Sequence, residues 1–256
     1  MSLRFHEIAE RDHRILNPFT EDQLRLLGEL CRLMPGQRHL DLCSGKGEML
    51  STWSAQYGTV GTGVDISKVF LTAAQERAAE LGVADRVTFV RANASTYEIA
   101  PAAFDVVSCI GATWIGGGLA GTLDLMRPGL AGPDSLLLVG EPYWIGAPPP
   151  EAYAAITPGA PSLFATLPDT VTRFESAGFE LIEMVLADHH GWDRYVAPQW
   201  RAVSDWLRDN ADAPDAAEIS RLHQQYRREY FAYTRPYLGW GVFVLRQATE
   251  ANPAPA

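Results

Sequence analysis

Two acidic residues flank a glycine turn in the segments HLDLCSGKGEML (residues 39–50) and GTGVDIS (61–67). Asp41 stands just ahead of the turn Cys43-Ser44-Gly45-Lys46-Gly47, and Asp65 closes the next apolar run. A loop between a strand and a helix offers unpaired N–H groups and a positive helix end to a ligand. Glycine lets that backbone come close. Three ligand chemistries compete. A P-loop needs Gly-Lys followed by Ser or Thr, whereas here Gly47 follows Lys46 in a shorter loop. A dinucleotide fingerprint needs a third glycine, and Leu50 stands there, which weakens a nicotinamide or flavin site. The third chemistry uses the acids. Asp65 would accept from both hydroxyls of a ribose and Asp41 would face an ammonium, so the pair suits a phosphate-free, cationic amino-acid nucleoside. S-adenosylmethionine has that chemistry.

The elements that would hold these residues follow from hydrophobic periodicity. TEDQLRLLGELCRL reads as a helix, with Thr20 as N-cap, Gln23 completing a capping box, and Leu24, Leu27 and Leu30 on one face. Residues 1–19 read as polar and irregular. From Arg38, short apolar runs alternate with helical stretches: RHLDL, TVGTGVD, RVTFVRA, FDVVSCIGA and SLLLVGEP are five strands, and FELIEMVLAD and LGWGVFVLRQ are two more. Helices separate the first three, and Ser67 and Gly82 bracket the second of these as N-cap and stop. This alternation is the mark of a parallel sheet covered on both faces. Seven prolines in residues 141–168 predict a loop there rather than a strand or long helix. Between Trp192 and Pro236 two amphipathic patterns predict a helical insertion: Trp200, Val203 and Leu207 form one stripe, and Ile219, Leu222, Tyr226 and Tyr233 the other. The expected organisation is an N-terminal lid and helix (1–35), a core (36–191 and 237–247), a helical cap (192–236) and a disordered tail (248–256).

Taken in order, these motifs resemble those of the class I S-adenosylmethionine-dependent methyltransferases, strongly over residues 36–140 and again at WGVFVL. That family's first motif reads roughly Asp/Glu-x-Gly-x-Gly-x-Gly, and this chain has DLCSGKG, with Cys43 in the place of the first glycine. The resemblance implies an α/β fold with a seven-stranded, mostly parallel, doubly wound sheet whose last strand is antiparallel, with helices on both faces. It implies a cofactor site of Asp41, Cys43, Ser44, Gly45, Gly47, Asp65 and Ile66, with Asn93 and Ala94 at the adenine and Ile110 and Gly111 along the methionine portion. Asn93 replaces the family's usual aspartate; its amide oxygen is expected to accept from the adenine amino group. Cys43 is expected to avoid positive φ. Lys46 brings a positive charge toward a cationic cofactor and would point either to solvent or to a carboxylate.

Composition narrows the acceptor. A formal charge of −10, with no basic run, disfavours a nucleic-acid surface. The fourth strand ends CIGATW, without the Asn/Asp-Pro-Pro-Tyr/Phe signature of nucleobase amino methylation. The expected acceptor is a small organic molecule methylated on oxygen or nitrogen. The N-terminal residues lack a signal-peptide h-region, no apolar run spans a membrane, and the three cysteines (Cys31, Cys43, Cys109) have no disulfide or zinc spacing. A cytoplasmic enzyme without a bound metal is the expectation. Base or substrate-contact candidates are Glu141, at the carboxyl edge of the sheet, and His189, on a strand end beside His190 with the two rings on opposite faces. Acceptor-wall candidates are His13, Trp114, Tyr143, Trp144, Trp192, Tyr195 and Trp200. A non-catalytic module that binds the cofactor is the main alternative, and a nicotinamide oxidoreductase a weaker one.

Overall fold

The chain was studied as a computed structural model that describes residues 2–160 and 162–248. Seven strands form one sheet in the order β3-β2-β1-β4-β5-β7-β6. The strands are β1 (Arg38–Leu42), β2 (Val60–Asp65), β3 (Val87–Arg91), β4 (Val106–Ile110), β5 (Leu136–Trp144), β6 (Phe179–Leu186) and β7 (Leu238–Gln247). Pairings among β3, β2, β1, β4 and β5 are parallel, and β7 runs antiparallel to both β5 and β6. The order reverses beside β1, so the carboxyl ends of β1 and β4 open a crevice where sheets of this kind hold ligands.

Helices cover both faces. On one face α5 (Leu119–Met126) and α7 (Leu167–Ser176) bury Leu123, Met126 and Phe174 against Leu40, Val107, Val139 and Phe243. On the other, α2 (Glu21–Leu30) and α3 (Glu48–Tyr57) bring Leu24, Leu27 and Trp53 onto Leu138, Val242 and Val244. The Thr20–Gln23 capping box forms reciprocally, at 3.2 and 3.0 Å. Ser67 caps α4 (Lys68–Glu80), accepting from Phe70 N at 3.1 Å.

Three local expectations change. Residues 3–9 are a helix, α1 (Leu3–Ala9), capped by Ser2. Its buried Phe5, Ile8 and Ala9 have helical spacing, and they pack on Val203 and Ile219. β5 also continues through Pro142 to Trp144 despite the predicted loop. From Glu141 to Tyr143 it pairs only with β7, so the absent proline N–H faces no second neighbour, and Trp144 then bridges to Thr166 on the other side. Within the proline-rich stretch, Pro150–Ile156 is a helix, α6, entered through proline at its first position. Between β6 and β7 lie α8 (His189–Asp209), α9 (Ala216–Glu229) and a π-helical turn, Tyr230–Thr234. Residues 249–256, expected to be disordered, lie outside the described residues.

Candidate active site

A cavity of about 840 Å³ opens at the carboxyl ends of β1, β2 and β4, within the roughly 300–1,000 Å³ usual for ligand sites. Asp41, Cys43, Ser44, Gly45, Asp65, Ile66, Asn93, Ala94, Ile110 and Gly111 line it. Gly47, named with them, turns away to start α3 and packs beneath Phe89 and Ala74.

The two carboxylates are held differently. Asp65 is buried, and its oxygens accept from Gly45 N at 2.9 Å and Ser67 N at 2.8 Å, fixing the glycine turn to the end of β2. Asp41 accepts from the Ser108 hydroxyl at 2.6 Å. Ser108 in turn lies 2.7 Å from Nε2 of buried His39, whose pKa burial lowers to about 3. His39 is therefore neutral, and the chain of bonds is satisfied with its proton on Nε2, donated to Ser108. Burial pushes Asp41 up to about 7, the Ser108 bond opposes this, and the Asp65 charge adds to it. A ligand ammonium beside Asp41 would restore its charge.

The turn itself takes left-handed backbone. Gly45 has φ +55°, and a Cβ there would meet Leu16 Cδ1 at 2.7 Å. Cys43 has φ +59°, against expectation. The strand must bend at the position where the family motif carries glycine, and a non-glycine residue in that conformation costs about 1–2 kcal/mol. Asn93 also departs from expectation. Its Oδ1 accepts from the backbone N and hydroxyl of Ser95, at 3.1 and 2.8 Å, so the amide N–H₂ is its remaining group for a ligand.

Neither sequence-derived base reaches the cavity. Glu141 is buried on the opposite face of β5 from Pro142, which lines the cavity, because successive strand residues alternate. It accepts from Thr113 Oγ1 at 2.7 Å, and burial pushes it up to about 7. His189 is not on a strand end; it opens α8 behind the N-cap Asp188, and both His189 and His190 are exposed. Of the aromatic candidates, Trp114, Trp192 and Tyr195 line the cavity. Tyr143 is buried in the core on the α5/α7 side, and Trp144 packs on Tyr153 and Phe164. Trp200 belongs to a separate groove with Tyr230 and Phe231. His13 packs against Tyr195 beside the wall without lining it.

Glu141 supplies a prediction. Its pKa is raised in the fold, so its stabilising protonated state is present at low pH and is lost as pH rises through about 7. The difference in melting temperature between Glu141→Gln and the wild type should therefore grow in the variant's favour from pH 5 to pH 8. A pH-independent difference would show that Glu141 is charged in the folded protein across that range.

Sequence reasoning expected an N-terminal lid but not the contacts that fasten it. Residues 14–19, His6 of α1 and Glu10 at its C-cap line the cavity, so the N-terminal segment passes over the strand ends. Lys46 fastens it: its half-buried ammonium donates to the carbonyls of Glu10, Arg11 and His13 at 2.7, 2.9 and 2.6 Å, and not to a carboxylate. Glu10 is 1% exposed and accepts from Tyr195 Oη at 2.7 Å and Gln199 Nε2 at 3.0 Å, tying the same segment to α8. Tyr195 Oη also lies 3.1 Å from the Leu16 carbonyl. The Phe5-Ile8-Ala9 spacing was the available signal for α1; nothing in the sequence links Lys46 to residues 10–13.

Among the described residues no helix is long and apolar enough to cross a membrane, and no cluster of three His, Cys, Asp or Glu side chains could hold a metal. The left-handed glycine turn and two buried strand-end acids fit an adenosyl amino acid: backbone N–H groups and open space for its chain, carboxylates for its cation and hydroxyls.

Comparison with known proteins agrees. A family model described as a methyltransferase domain matches residues 40–127. The chain is 45% identical over 243 residues to YjhP of Escherichia coli strain K12, covering 94% of this chain and 97% of that protein. It is similar in structure to an S-adenosylmethionine-dependent methyltransferase of Geobacter sulfurreducens crystallised with S-adenosyl-L-homocysteine, with TM-score 0.90, 45% identity, and 96% and 98% of the two chains covered. A second such methyltransferase, of Thiobacillus denitrificans and also crystallised with S-adenosyl-L-homocysteine, gives TM-score 0.89 at 41% identity, covering 96% and 99%.

Proposed function

This chain belongs to the class I S-adenosylmethionine-dependent methyltransferases, and on that premise we propose that it methylates an oxygen or nitrogen of a small organic molecule. The observation that carries this reading is the roofed cavity. The N-terminal segment and α8 close over the strand ends, and Trp114, Trp192 and Trp240 wall the space beyond the glycine turn. An acceptor must fit under that roof beside the cofactor, which favours a compact molecule with an apolar body. The charge of −10 argues against nucleic acid as the acceptor.

Methyl transfer is a direct displacement, in which the protein aligns nucleophile, methyl and sulfur and keeps water out. Asp65 and the N–H groups of the turn would hold the adenosine, and Asp41, oriented by Ser108 and His39, the ammonium. Bound S-adenosylmethionine supplies an electrophilic methyl group. Binding of S-adenosylhomocysteine to the purified protein is the test, read by calorimetry. A micromolar or tighter Kd is expected, and absence of heat at millimolar ligand would sink the reading. Cofactor binding without turnover on a broad panel of amines, phenols and alcohols would instead favour a non-catalytic module.

A further inference from the structure

In the strap over the cavity, residues 14–19, one polar side chain has no hydrogen bond within the described residues. Asn17 lines the cavity and is partly exposed, and among the described residues its side-chain amide makes no hydrogen bond. Its neighbours on the strap are all engaged. Leu16 covers Gly45, and its carbonyl faces Tyr195 Oη. Pro18 is buried, with its carbonyl against Gly191. Phe19 is buried edge-on to Trp240, at 5.6 Å between ring centroids, and donates its N–H to the Asn17 carbonyl at 2.7 Å. Backbone and flanks are thus held, and the amide alone is left over.

Its location is specific. Gly111, at the end of β4, has φ +75°, and a Cβ there would overlap Asn17 Oδ1. The missing side chain makes the space that the amide oxygen occupies. That places Oδ1 at the carboxyl end of β4, in the cavity that the glycine turn and Trp114, Trp192 and Trp240 also line. Of the other polar groups lining the cavity or flanking it, Asp41 is committed to Ser108, Tyr195 to Glu10 and Glu141 to the opposite face. Among the described residues Trp192 Nε1 and Ser44 Oγ are also unpaired, but the first can only donate and the second belongs to the cofactor turn.

We propose that Asn17 is the residue that contacts the acceptor. Its amide oxygen accepts a hydrogen bond from the N–H or O–H group that is to be methylated and so turns that atom's lone pair toward the cofactor. The methyl leaves sulfur for that atom, and the proton then passes to solvent, not to Asn17. The acceptor is then a small amine, phenol or alcohol with a proton on its nucleophilic atom and an apolar or aromatic body. This rests on the methyltransferase reading above.

The test needs no knowledge of the acceptor. Sinefungin is an S-adenosylmethionine analogue in which a carbon bearing an amino group replaces the methylated sulfur, so its amine stands where the methyl and nucleophile meet. Calorimetry on the full chain compares sinefungin with S-adenosylhomocysteine. Asn17→Ala should weaken sinefungin by about tenfold, the loss of one charge-assisted hydrogen bond, and change S-adenosylhomocysteine less than about threefold. Asn17→Asp, which keeps an acceptor oxygen in place, should retain or strengthen sinefungin binding. Equal weakening of both ligands would make Asn17 part of the cofactor site or a mere strut of the roof and would overturn the proposal, as would no change in either. If the wild type bound neither ligand, the methyltransferase reading itself would fail, which is a distinct result.

Discussion

Asp65→Ala should weaken S-adenosylhomocysteine binding by at least about 100-fold, measured by calorimetry at neutral pH. Two ribose hydroxyls donating to a buried carboxylate make charge-assisted bonds of about 1.5–3 kcal/mol each, and each 1.4 kcal/mol is tenfold in Kd. A second loss adds to the first. Asp65 also accepts from Gly45 N, so its removal frees the turn that must lie against the ligand. Ser67→Ala is the control. It removes the N-cap of α4, at a cost of about 1 kcal/mol in stability, but leaves the carboxylate on Gly45. The variant should melt lower than the wild type and bind S-adenosylhomocysteine within about threefold. Retained affinity in Asp65→Ala would remove the ribose assignment.

The cofactor half of this site was legible because its determinants are local. Asp41, Gly45 and Asp65 fall at strand ends that hydrophobic runs mark, and the crossovers bring those ends together. Thr20 and Ser67 were legible as caps for the same reason: a cap reads the three residues after it. The acceptor half was legible only in part, through Trp114, Trp192 and Tyr195, which line the cavity. Glu141 and Pro142 differ by one position, yet alternation puts one in the core and the other in the cavity. Tyr143 and Trp144 were expected on a loop rim because of the prolines, and the pairing of β5 with β7 drew them into the sheet instead. His189 shifted from strand end to helix start because Asp188 caps the helix, donated to by Gly191 N at 2.7 Å. The roof depends on contacts such as Tyr195 to Glu10, 185 residues apart, which no local pattern encodes.

Lys46→Met should loosen the roof without unfolding the protein. In the wild type three carbonyls that follow α1 converge on one ammonium, within 2.9 Å each. Burial lowers the pKa of Lys46, and the nearby Glu10 and Asp12 carboxylates oppose that shift. Each bond to a charged donor is worth about 1.5–3 kcal/mol when its loss leaves a partner unpaired, but lifting the strap returns the carbonyls to water. A net local cost near 2 kcal/mol follows, about 30-fold in the opening equilibrium. Hydrogen exchange over residues 10–19 should accelerate by that factor, while the strands of the sheet keep their protection. Arginine should rescue only in part, because a planar fork cannot replace a compact ammonium at the centre of three carbonyls. The same loosening should speed release of sinefungin and S-adenosylhomocysteine alike, since the roof covers both. That equal effect separates the latch from Asn17, whose loss should discriminate between the two. Unchanged exchange over residues 10–19 would mean that Glu10, through Tyr195 and Gln199, holds the roof without Lys46.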